Sequence, residues 1–448
     1  MAAPQETRPS PVPATAAQGG DVLERRLWTE PAVWTERMLT ALEQGVKGGV
    51  WFSLMDKVFA GSNLTASCSK VAANAGAPGV DHVTVEAFGA DLERNVARLT
   101  MALRDGSYEP QAIRRVYIPK PGSNEQRPLG IPTIGDRVVQ GAVRHVIEPI
   151  FERAFAASSY GFRPGKGCQD ALRRVDELLK QGFVYVVDAD LKSYFDTIPH
   201  DRLLRRLREH IADGRVLQRI ESFLKAGILD GLAEWEPEAG VPQGAVLSPL
   251  LSNIYLNPLD HQLAAQGLAM VRYADDFVIL CRSQAQAEQA LASVRQWCEA
   301  ESLVLHPNKT RIVDVRQEGF DFLGYHFQTT RQGRLARWPR KKSLDKLKDT
   351  LRAKTKRTDG RALGCILNDV NRTLRGWFGY FKHSCRSTFR PLDGWIRMRL
   401  RSILRQRAHG VGCGRGRDHQ RWPNSFFAEL GFFSLEAALA AACQSPRG

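Results

Sequence analysis

Several hallmarks of familiar protein classes are missing from this sequence of 448 residues. It has no run of about 18 apolar residues, so we expect no transmembrane helix. Its start, MAAPQETRPSPVPATAAQGG, has no apolar segment of the signal-peptide kind, and its Pro and Ala content predicts a flexible tail. The eight cysteines are scattered without a C-x-x-C pair, which disfavours a zinc ribbon and favours reduced thiols in a cytoplasm. With 43% hydrophobic residues, the chain can still build a sizeable core.

Positive charge is concentrated in one segment. Residues 331–421 contain 26 Lys and Arg against 6 Asp and Glu, a surplus of 20, whereas the net charge of the whole chain is +15. The remainder is therefore mildly acidic, at −5. Such a segment indicates a surface for a polyanion, and the Trp, Tyr and Phe residues within it suit nucleic acid better than a membrane surface. The alternative is a helix bundle whose basic faces are merely solvated.

Strand-like and helical patterns interleave along the chain without strict alternation or an internal repeat. FVYVVDADL (183–191) is an apolar run typical of a buried strand, and two strands flank the polar turn within 113–132. Helical patterns occupy 136–156, 168–181, 199–211, 284–300 and the residues from 340 onward. This order predicts an α+β fold followed by an all-helical basic domain.

Four aspartates lie in two strand-like segments. Asp275 and Asp276 stand at the tip of a predicted hairpin in VRYADDFVIL, where two like charges repel each other. Asp188 and Asp190 share one face of the strand in VVDADL, because side chains alternate along a strand. If that strand lies beside the hairpin, three carboxylates converge into an oxygen-ligand site suited to Mg²⁺. The alternative is that these aspartates are ordinary turn and edge residues.

Four further segments offer contacts for a nucleotide and a primer end. Basic side chains suit phosphate groups, a glycine permits close approach of the backbone, and a lysine can donate a proton to pyrophosphate. Taken alone, each segment is also an ordinary turn, loop or piece of core. The candidates are Lys120 and Arg127 of PKPGSNEQRPLGIP for a triphosphate, Gln243 and Gly244 of GVPQG for a nucleotide, Lys309 of HPNKT for pyrophosphate, and Phe322, Leu323, Gly324 and Tyr325 of FDFLGY for a primer grip.

The order of these motifs resembles a known family. PGVD, RPLGIP, SSYGFRPG, DADLKSYFDTIPH, PQGAVLSPLLSNIYL, RYADDFV, LHPNKT and FLGY are similar to the reverse transcriptase blocks of proteins encoded by bacterial group II introns. LNDVNRTLRGWFGYF (367–381) resembles the maturase block that follows them. The resemblance runs from about residue 48 to 435. It implies a right-hand polymerase with fingers, a palm and a helical thumb, which uses two Mg²⁺ ions or, alternatively, Mn²⁺.

The resemblance also implies roles for single residues. It assigns the metals to Asp190, Asp275 and Asp276, and it gives Asp188 no ligand role. Phe195, five residues after Asp190, becomes a gate against the ribose 2′-hydroxyl. The basic segment falls on the thumb and maturase region, where a duplex or a folded RNA is held through its backbone. The candidate nucleic-acid-binding residues there are Lys341, Lys342, Lys346, Lys348, Arg352, Lys354 and Arg375.

At two positions the sequence departs from the family pattern. His82 stands where the family usually has Gly, and we expect a surface residue; Cys168 replaces another small or polar residue, and we expect it to serve packing. The His-Asn-His endonuclease domain of many relatives is expected to be absent.

The same resemblance divides the chain into regions. The predicted regions are a flexible tail at 1–20, a helical extension at 21–73, fingers and palm at 74–330, a helical thumb/maturase domain at 331–410, and a short basic tail at 411–448 that binds nucleic acid.

The function implied is that of an RNA-directed DNA polymerase that binds its group II intron RNA, assists splicing and copies the intron by target-primed reverse transcription. Its partners would be the intron RNA, an RNA template with a DNA primer, a DNA target and dNTPs, without a membrane, in a bacterial cytoplasm near the nucleoid. Two alternatives remain, a free-standing reverse transcriptase recruited for defence or repair and an RNA-binding splicing cofactor with a lapsed polymerase. A template-independent nucleotidyltransferase is disfavoured by the long basic segment. The oligomeric state stays open.

Overall fold

The computed structural model describes residues 29–46, 48–119 and 126–444. The predicted tail 1–20 and the predicted triphosphate ligand Lys120 lie outside these residues. None of the helices in the described part is long and apolar enough to cross a membrane.

The described N-terminal part is helical. Thr35 caps its first helix by accepting a hydrogen bond from the backbone N–H of Met38, and Thr84 caps a later one in the same way. Glycines with positive φ at 45, 48 and 49 end the first helix, so the described part of the predicted extension is a series of helices joined by turns. These helices are α1 Glu36–Gln44, α2 Met55–Val58, α3 Gly61–Ala73, α4 Val85–Ala90 and α5 Leu92–Asp105.

Strands and helices interleave through the middle of the chain, as the sequence predicts. The strands are β1 Ile113–Pro119, β2 Gln126–Ile131, β3 Tyr185–Asp190, β4 Ile228–Asp230, β5 Ala233–Trp235, β6 Ala269–Tyr273, β7 Asp276–Cys281, β8 Arg311–Asp314, β9 Phe320–Phe322, β10 Tyr325–Thr329 and β11 Leu335–Pro339. The helices among them are α6 Ile134–Glu152, α7 Cys168–Lys180, α8 Tyr194–Thr197, α9 His200–Arg208, α10 Gly214–Leu224, α11 Ser248–Ala265 and α12 Gln284–Ala300.

The described strands form three sheets. One has the order β2-β1-β4-β5, in which β1 pairs antiparallel with β2 and parallel with β4. A second has the order β6-β7-β3-β8 and is antiparallel throughout, and the third is β11-β10-β9. The sequence did not indicate β4 and β5, because a strand of three residues carries too little alternation to be distinguished from a loop.

The sheet β6-β7-β3-β8 is covered on both faces. Val187 of β3 and Ile279 of β7 pack into the larger core with the helices of the N-terminal half. Val186 and Val278, which point the other way, pack into a second core that contains the sheet β11-β10-β9 and α7. Helices therefore bury one face of this antiparallel sheet, and α7 with the small sheet buries the other, while Asp190 and Asp276 lie at the ends of its two inner strands.

The last part of the chain is an all-helical domain, as predicted. Its core includes Phe427 and Leu435, both fully buried, so the described residues after 410 pack against the domain instead of extending from it as a tail. Asp393 accepts hydrogen bonds from Ser434 Oγ at 2.7 Å and from the backbone N–H of Leu435 at 3.0 Å. The helices are α13 Lys341–Lys354, α14 Leu363–Phe381, α15 Phe389–Arg407, α16 Asp418–Arg421, α17 Asn424–Glu429 and α18 Leu435–Gln444.

Candidate active site and nucleic-acid surface

Strand register brings the aspartates together. β3 lies beside β7, and Asp190 is the direct cross-strand partner of Asp276. Asp188 pairs with Val278 and therefore lies diagonally from Asp276 on the same face, while Asp275 occupies the turn between β6 and β7. The structure thus confirms the predicted placement of this strand beside the hairpin.

Burial and mutual repulsion raise the pKa values of these carboxyl groups. Burial raises the pKa of Asp276 to about 7, and the charges of Asp188, Asp275 and Asp190 add to this effect. Burial also raises the pKa of Asp275, with a further contribution from the charge of Asp190. The pKa of Asp188 rises to about 6, again chiefly by burial. A group of carboxylates in this state is stabilised by any cation that approaches it.

Four basic side chains surround the carboxylates, each from a different element. Lys309 Nζ donates to Asp190 Oδ2 at 2.8 Å, and Arg311 lies 3.8 Å from Asp188. Opposing the effect of burial, the charge of Arg127 on β2 lowers the pKa of Asp275 and the charge of Arg340 lowers that of Asp276. Lys309 is thus paired with a carboxylate in this structure, and its predicted role toward pyrophosphate stays a prediction.

The carboxylates suit a divalent metal in ligand type and in register. Oxygen ligands are those that Mg²⁺ and Mn²⁺ prefer. Among the described residues, no group of three or more His, Cys, Asp or Glu side chains is arranged so that it could hold a metal ion. The side chain of Asp190 is held by Lys309, so release of this ion pair is needed before Asp190 can join Asp275 and Asp276 around one ion.

A cleft of about 620 Å³ lies between β1, β2 and the segments around Phe195 and 235–243. Phe195 and Gln243 both line it, together with Arg115, Trp235 and Gly130. The backbone N–H of Gly130 donates to Gln243 O at 2.6 Å, which joins the strand β2 to the loop before α11. The structure therefore places two of the predicted nucleotide residues at one cavity.

Two other predicted nucleotide residues lie outside the lining of this cleft. Gly244 has φ +106°, and a Cβ there would lie 2.6 Å from Gly130 O, so the close approach of β2 requires a glycine at this position. Arg127 is exposed on β2, where it pairs with Ile118.

The predicted primer grip is a turn between β9 and β10. Phe322 and Tyr325 are 1% exposed and belong to the core, whereas Leu323 and Gly324 form the turn itself with φ +46° and +82°. Tyr380 Oη donates to Leu323 O at 2.7 Å, and Tyr325 Oη donates to Tyr380 O at 2.6 Å. The turn is thus held by α14 of the helical domain, and its two central residues, Leu323 and Gly324, are less buried than Phe322 and Tyr325.

The predicted nucleic-acid-binding residues divide into groups in the structure. Lys341, Lys348 and Arg352 recur at intervals of seven and four along α13, a spacing that puts them on one face. Lys342 and Lys346 are exposed at the next positions around the helix. The rest make internal contacts: Lys354 Nζ donates to Thr373 Oγ1 at 2.7 Å, Arg375 lies over the Phe433 ring, and Arg352 also lies over Trp395 and pairs with Asp349.

Two departures from the family pattern find structural settings. His82 is exposed with φ +56°, a left-handed conformation that accounts for Gly being usual at this position. Cys168 begins α7, and its hydrogen bond with Tyr273 raises the pKa of that phenol to about 12, with burial adding to the effect. All eight cysteines lie within the described residues and are unpaired there.

The sequence analysis missed a fully buried ion pair behind the hairpin. Arg272 and Asp260 are both 0% exposed, and their side chains lie 2.5 Å apart. A signal was available, since Arg272 interrupts the apolar strand MVRYADDF and Asp260 interrupts the apolar helix of SNIYLNPLD. Opposite charges in two apolar segments predict a buried pair, because an unpaired charge is too costly to bury.

Comparisons with known proteins agree with this architecture. The model for reverse transcriptase (RNA-dependent DNA polymerase) matches residues 118–327, and that for the group II intron maturase-specific domain matches 344–422. Protein YkfC of Escherichia coli (strain K12) is 38% identical over 288 residues, which are 55% of this chain and 75% of YkfC. The group II intron-encoded protein LtrA of Lactococcus lactis subsp. cremoris is 42% identical over 168 residues, which are 38% of this chain and 28% of LtrA.

Among solved structures, a chain of a partial Cas6-RT-Cas1–Cas2 complex is similar, with 26% sequence identity and a TM-score of 0.36. The match covers 55% of this chain and 41% of that chain.

The two family models match in the order of the two parts of the fold, the reverse transcriptase first and the maturase domain second. The match to YkfC spans most of that protein. The chain therefore belongs to the group II intron reverse transcriptases with a maturase domain, a family of RNA-directed DNA polymerases.

Proposed function

We propose that the protein extends a DNA primer on an RNA template by two-metal nucleotidyl transfer at Asp190, Asp275 and Asp276. The observation that carries the proposal is the cross-strand pair of Asp190 and Asp276 beside the turn that bears Asp275. Two bound Mg²⁺ ions, or Mn²⁺ ions, would activate the primer 3′-hydroxyl and stabilise the pyrophosphate that leaves.

The residues around the cleft bind and select the incoming dNTP. Phe195 fills the position where a ribose 2′-hydroxyl would enter, and Gln243 lies in the same lining. Arg127, together with Lys120 outside the described residues, neutralises the triphosphate, whose negative charge adds to that of the carboxylates. Lys309 pairs with Asp190 at 2.8 Å, and with Asp190 engaged by a metal this lysine would be free to protonate the pyrophosphate.

The helical domain holds the nucleic acid through its backbone. We assign fingers and palm to 74–330 and the thumb/maturase domain to 331–410, with the basic face of α13 toward the template–primer or the intron RNA. On this assignment the protein binds its group II intron RNA, assists its splicing and copies it at a DNA target by target-primed reverse transcription. It acts in the bacterial cytoplasm, associated with the nucleoid.

Primer extension on an RNA template with dNTPs and Mg²⁺ tests the proposal. Wild type is compared with Asp275→Asn and with the matched control Asp188→Asn, which changes a carboxylate on the same sheet face without a ligand role. We expect extension by wild type, none by Asp275→Asn, and less than about a tenfold loss for Asp188→Asn. Tight RNA binding without extension by the wild type would instead support a splicing cofactor with a lapsed polymerase.

A further inference from the structure

A buried ion pair lies directly behind the hairpin that carries Asp275 and Asp276. Arg272 Nε donates to Asp260 Oδ1 at 2.7 Å, and Nη2 donates to Asp260 Oδ2 at 2.5 Å. A fully buried pair of this kind is a weak device for stability, because the loss of hydration offsets much of the attraction. Its presence behind the turn therefore calls for a role in position and not in stability alone.

The remaining donor of the guanidinium points at the turn. Arg272 Nη1 donates to Ala274 O at 2.9 Å and to Asn253 Oδ1 at 2.8 Å. Ala274 has φ +61°, a left-handed conformation that is unfavourable for a residue with a Cβ. The next residue is Asp275. The guanidinium thus holds the carbonyl of the peptide bond that joins Ala274 to Asp275, and so restrains the backbone position of Asp275.

The opposite side of the turn is held by a distant segment. Tyr160 N–H donates to Arg272 O at 2.8 Å, and a Cβ on Gly161 would lie 2.3 Å from the backbone nitrogen of Ala274. Asn253 Nδ2 donates to Gly161 O at 2.8 Å and so joins this segment to the guanidinium. The motifs SSYGFRPG and SNIYL, to which the proposed function gives no task, therefore meet at the catalytic turn.

We propose that Arg272 is a positioning residue, which fixes the turn of Asp275 and Asp276 through Ala274 O, Asn253 and Asp260. The inference rests on the proposed function of those aspartates. With the turn set in advance, the carboxylates do not need to be ordered when the cation and the nucleotide bind. Misplacement of a reacting group by about 1 Å can cost roughly 100-fold in rate, and loss of a group that orients a metal ligand costs roughly 10- to 100-fold.

The test compares Arg272→Lys with a matched control, Arg401→Lys. Lysine keeps the positive charge but cannot reach three acceptors at once. Arg401 on α15 is also buried, at 1% exposure, and donates to Trp422 O and Asn424 Oδ1, both at 2.8 Å, so its replacement has a similar effect on packing in a different domain. Three quantities are measured in full-length protein: the Mn²⁺ concentration for half-maximal primer extension, Mn²⁺ binding by electron paramagnetic resonance, and deuterium uptake of the peptide 270–280 without metal.

For Arg272→Lys we expect roughly 10- to 100-fold weaker Mn²⁺ binding, a similar loss in extension rate, and faster deuterium uptake at 270–280. For Arg401→Lys we expect all three to stay within about twofold of wild type. Equal changes in the two variants, or unchanged Mn²⁺ binding in Arg272→Lys, would overturn the inference.

Two further variants keep the test decisive. If Arg272→Lys does not yield folded protein, Asn253→Ala removes one acceptor but leaves the ion pair, and it should weaken Mn²⁺ binding roughly 10-fold; no change would overturn the inference. Asp275→Asn separates the two levels of argument. Extension by Asp275→Asn at the wild-type rate would overturn the proposed function, whereas its loss beside unchanged Mn²⁺ binding in Arg272→Lys would overturn only the role of Arg272.

Discussion

In the palm, Asp190 and Asp276 face each other across neighbouring strands, whereas Lys341, Lys342 and Lys346 of α13 stand in solvent at the surface of the helical domain. The aspartates are partly buried, and burial raises the pKa of Asp276 to about 7, with the charges of Asp188 and the other two aspartates adding to it. Each exposed lysine is expected to contribute a similar, small amount to nucleic-acid affinity, because solvent and salt screen its charge. The affinity then depends on how many lysines there are. A single substitution at the aspartates should therefore abolish primer extension, whereas each substitution on α13 should reduce RNA affinity by a small amount.

The largest expected effect comes from Asp276→Asn. On the proposed function Asp276 holds a metal, and loss of such a ligand would remove several kcal/mol of transition-state stabilisation, so primer extension should fall at least about 1,000-fold. RNA affinity should stay within about twofold, since the basic surface is separate. Burial and the charges of three neighbouring aspartates disfavour the ionised form of Asp276 in the folded protein, and Asn removes that charge. The variant should therefore be at least as stable as wild type in thermal unfolding. A parallel loss of RNA affinity or of stability would contradict the separation of the two regions.

A second prediction concerns selection at the cleft. If Phe195 is the proposed gate against the 2′-hydroxyl, Phe195→Ala should reduce the preference for dNTPs over ribonucleotides by roughly 100-fold. The ratio of kcat/KM for the two nucleotides is the measurement. Trp235→Ala opens another wall of the same cleft and should leave that ratio unchanged. The same drop in both variants would show that cleft volume, and not Phe195 itself, sets the preference.

A third prediction tests the additive character of the helical surface. The triple change of Lys341, Lys342 and Lys346 to Gln should weaken RNA binding roughly tenfold and reduce the slope of log affinity against log salt by about 2. The matched control changes Lys57, Lys180 and Lys225 to Gln, which removes the same charge from lysines already paired with acidic neighbours. An equal change of slope in the control would assign the effect to net charge and not to α13.

The sequence predicts the parts of the site that depend on local pattern. Period-two alternation in VVDADL puts Asp188 and Asp190 on one face, and RYADDF predicts a turn, but the choice of Asp190 came from the family resemblance and its pairing with Asp276 from the structure. The fold class with its helical C-terminal domain is confirmed. The ion pair of Lys309 with Asp190 was not predicted, because it joins residues 119 apart that come together only in the folded chain.

The contacts of the turn with Gly161 and Asn253 were beyond reach for the same reason, although the charges of Arg272 and Asp260 in apolar segments gave a signal for their own pair. Gly161, Asn253 and Arg272 lie in three separate segments, and their contact depends on how α11 packs beside β6. The C-terminal segment was predicted as a tail, although Phe427 and Leu435 are buried, because helices of four to ten residues are too short to give a clear periodic signal. Local patterns thus locate the reacting groups but not the groups that orient them.

A buried histidine provides the last comparison, since it has a shifted pKa without a role in the site. His145 on α6 is 9% exposed, and burial, with a further contribution from the charge of Lys70, lowers its pKa to about 4. Nε2 accepts from Lys70 Nζ at 2.9 Å and Nδ1 donates to Asn63 Oδ1 at 2.8 Å, so the ring is neutral in the fold. The charges of Glu30 and Arg144 act on it with opposite signs.

Because the folded pKa lies below that of an unfolded histidine, protonation favours the unfolded chain as the pH falls from about 6.5 to about 4. Between pH 7.5 and 5 the wild type should lose about 2 kcal/mol of stability from His145 alone, a loss that His145→Gln escapes. Urea unfolding of both proteins at the two pH values measures this difference, and carboxylates with raised pKa values cancel because both proteins contain them. Primer extension at neutral pH should be the same for both, since His145 is neutral there and lies outside the cleft. Reduced extension by the variant would contradict this prediction, and it would show that His145 contributes to polymerisation from outside the cleft.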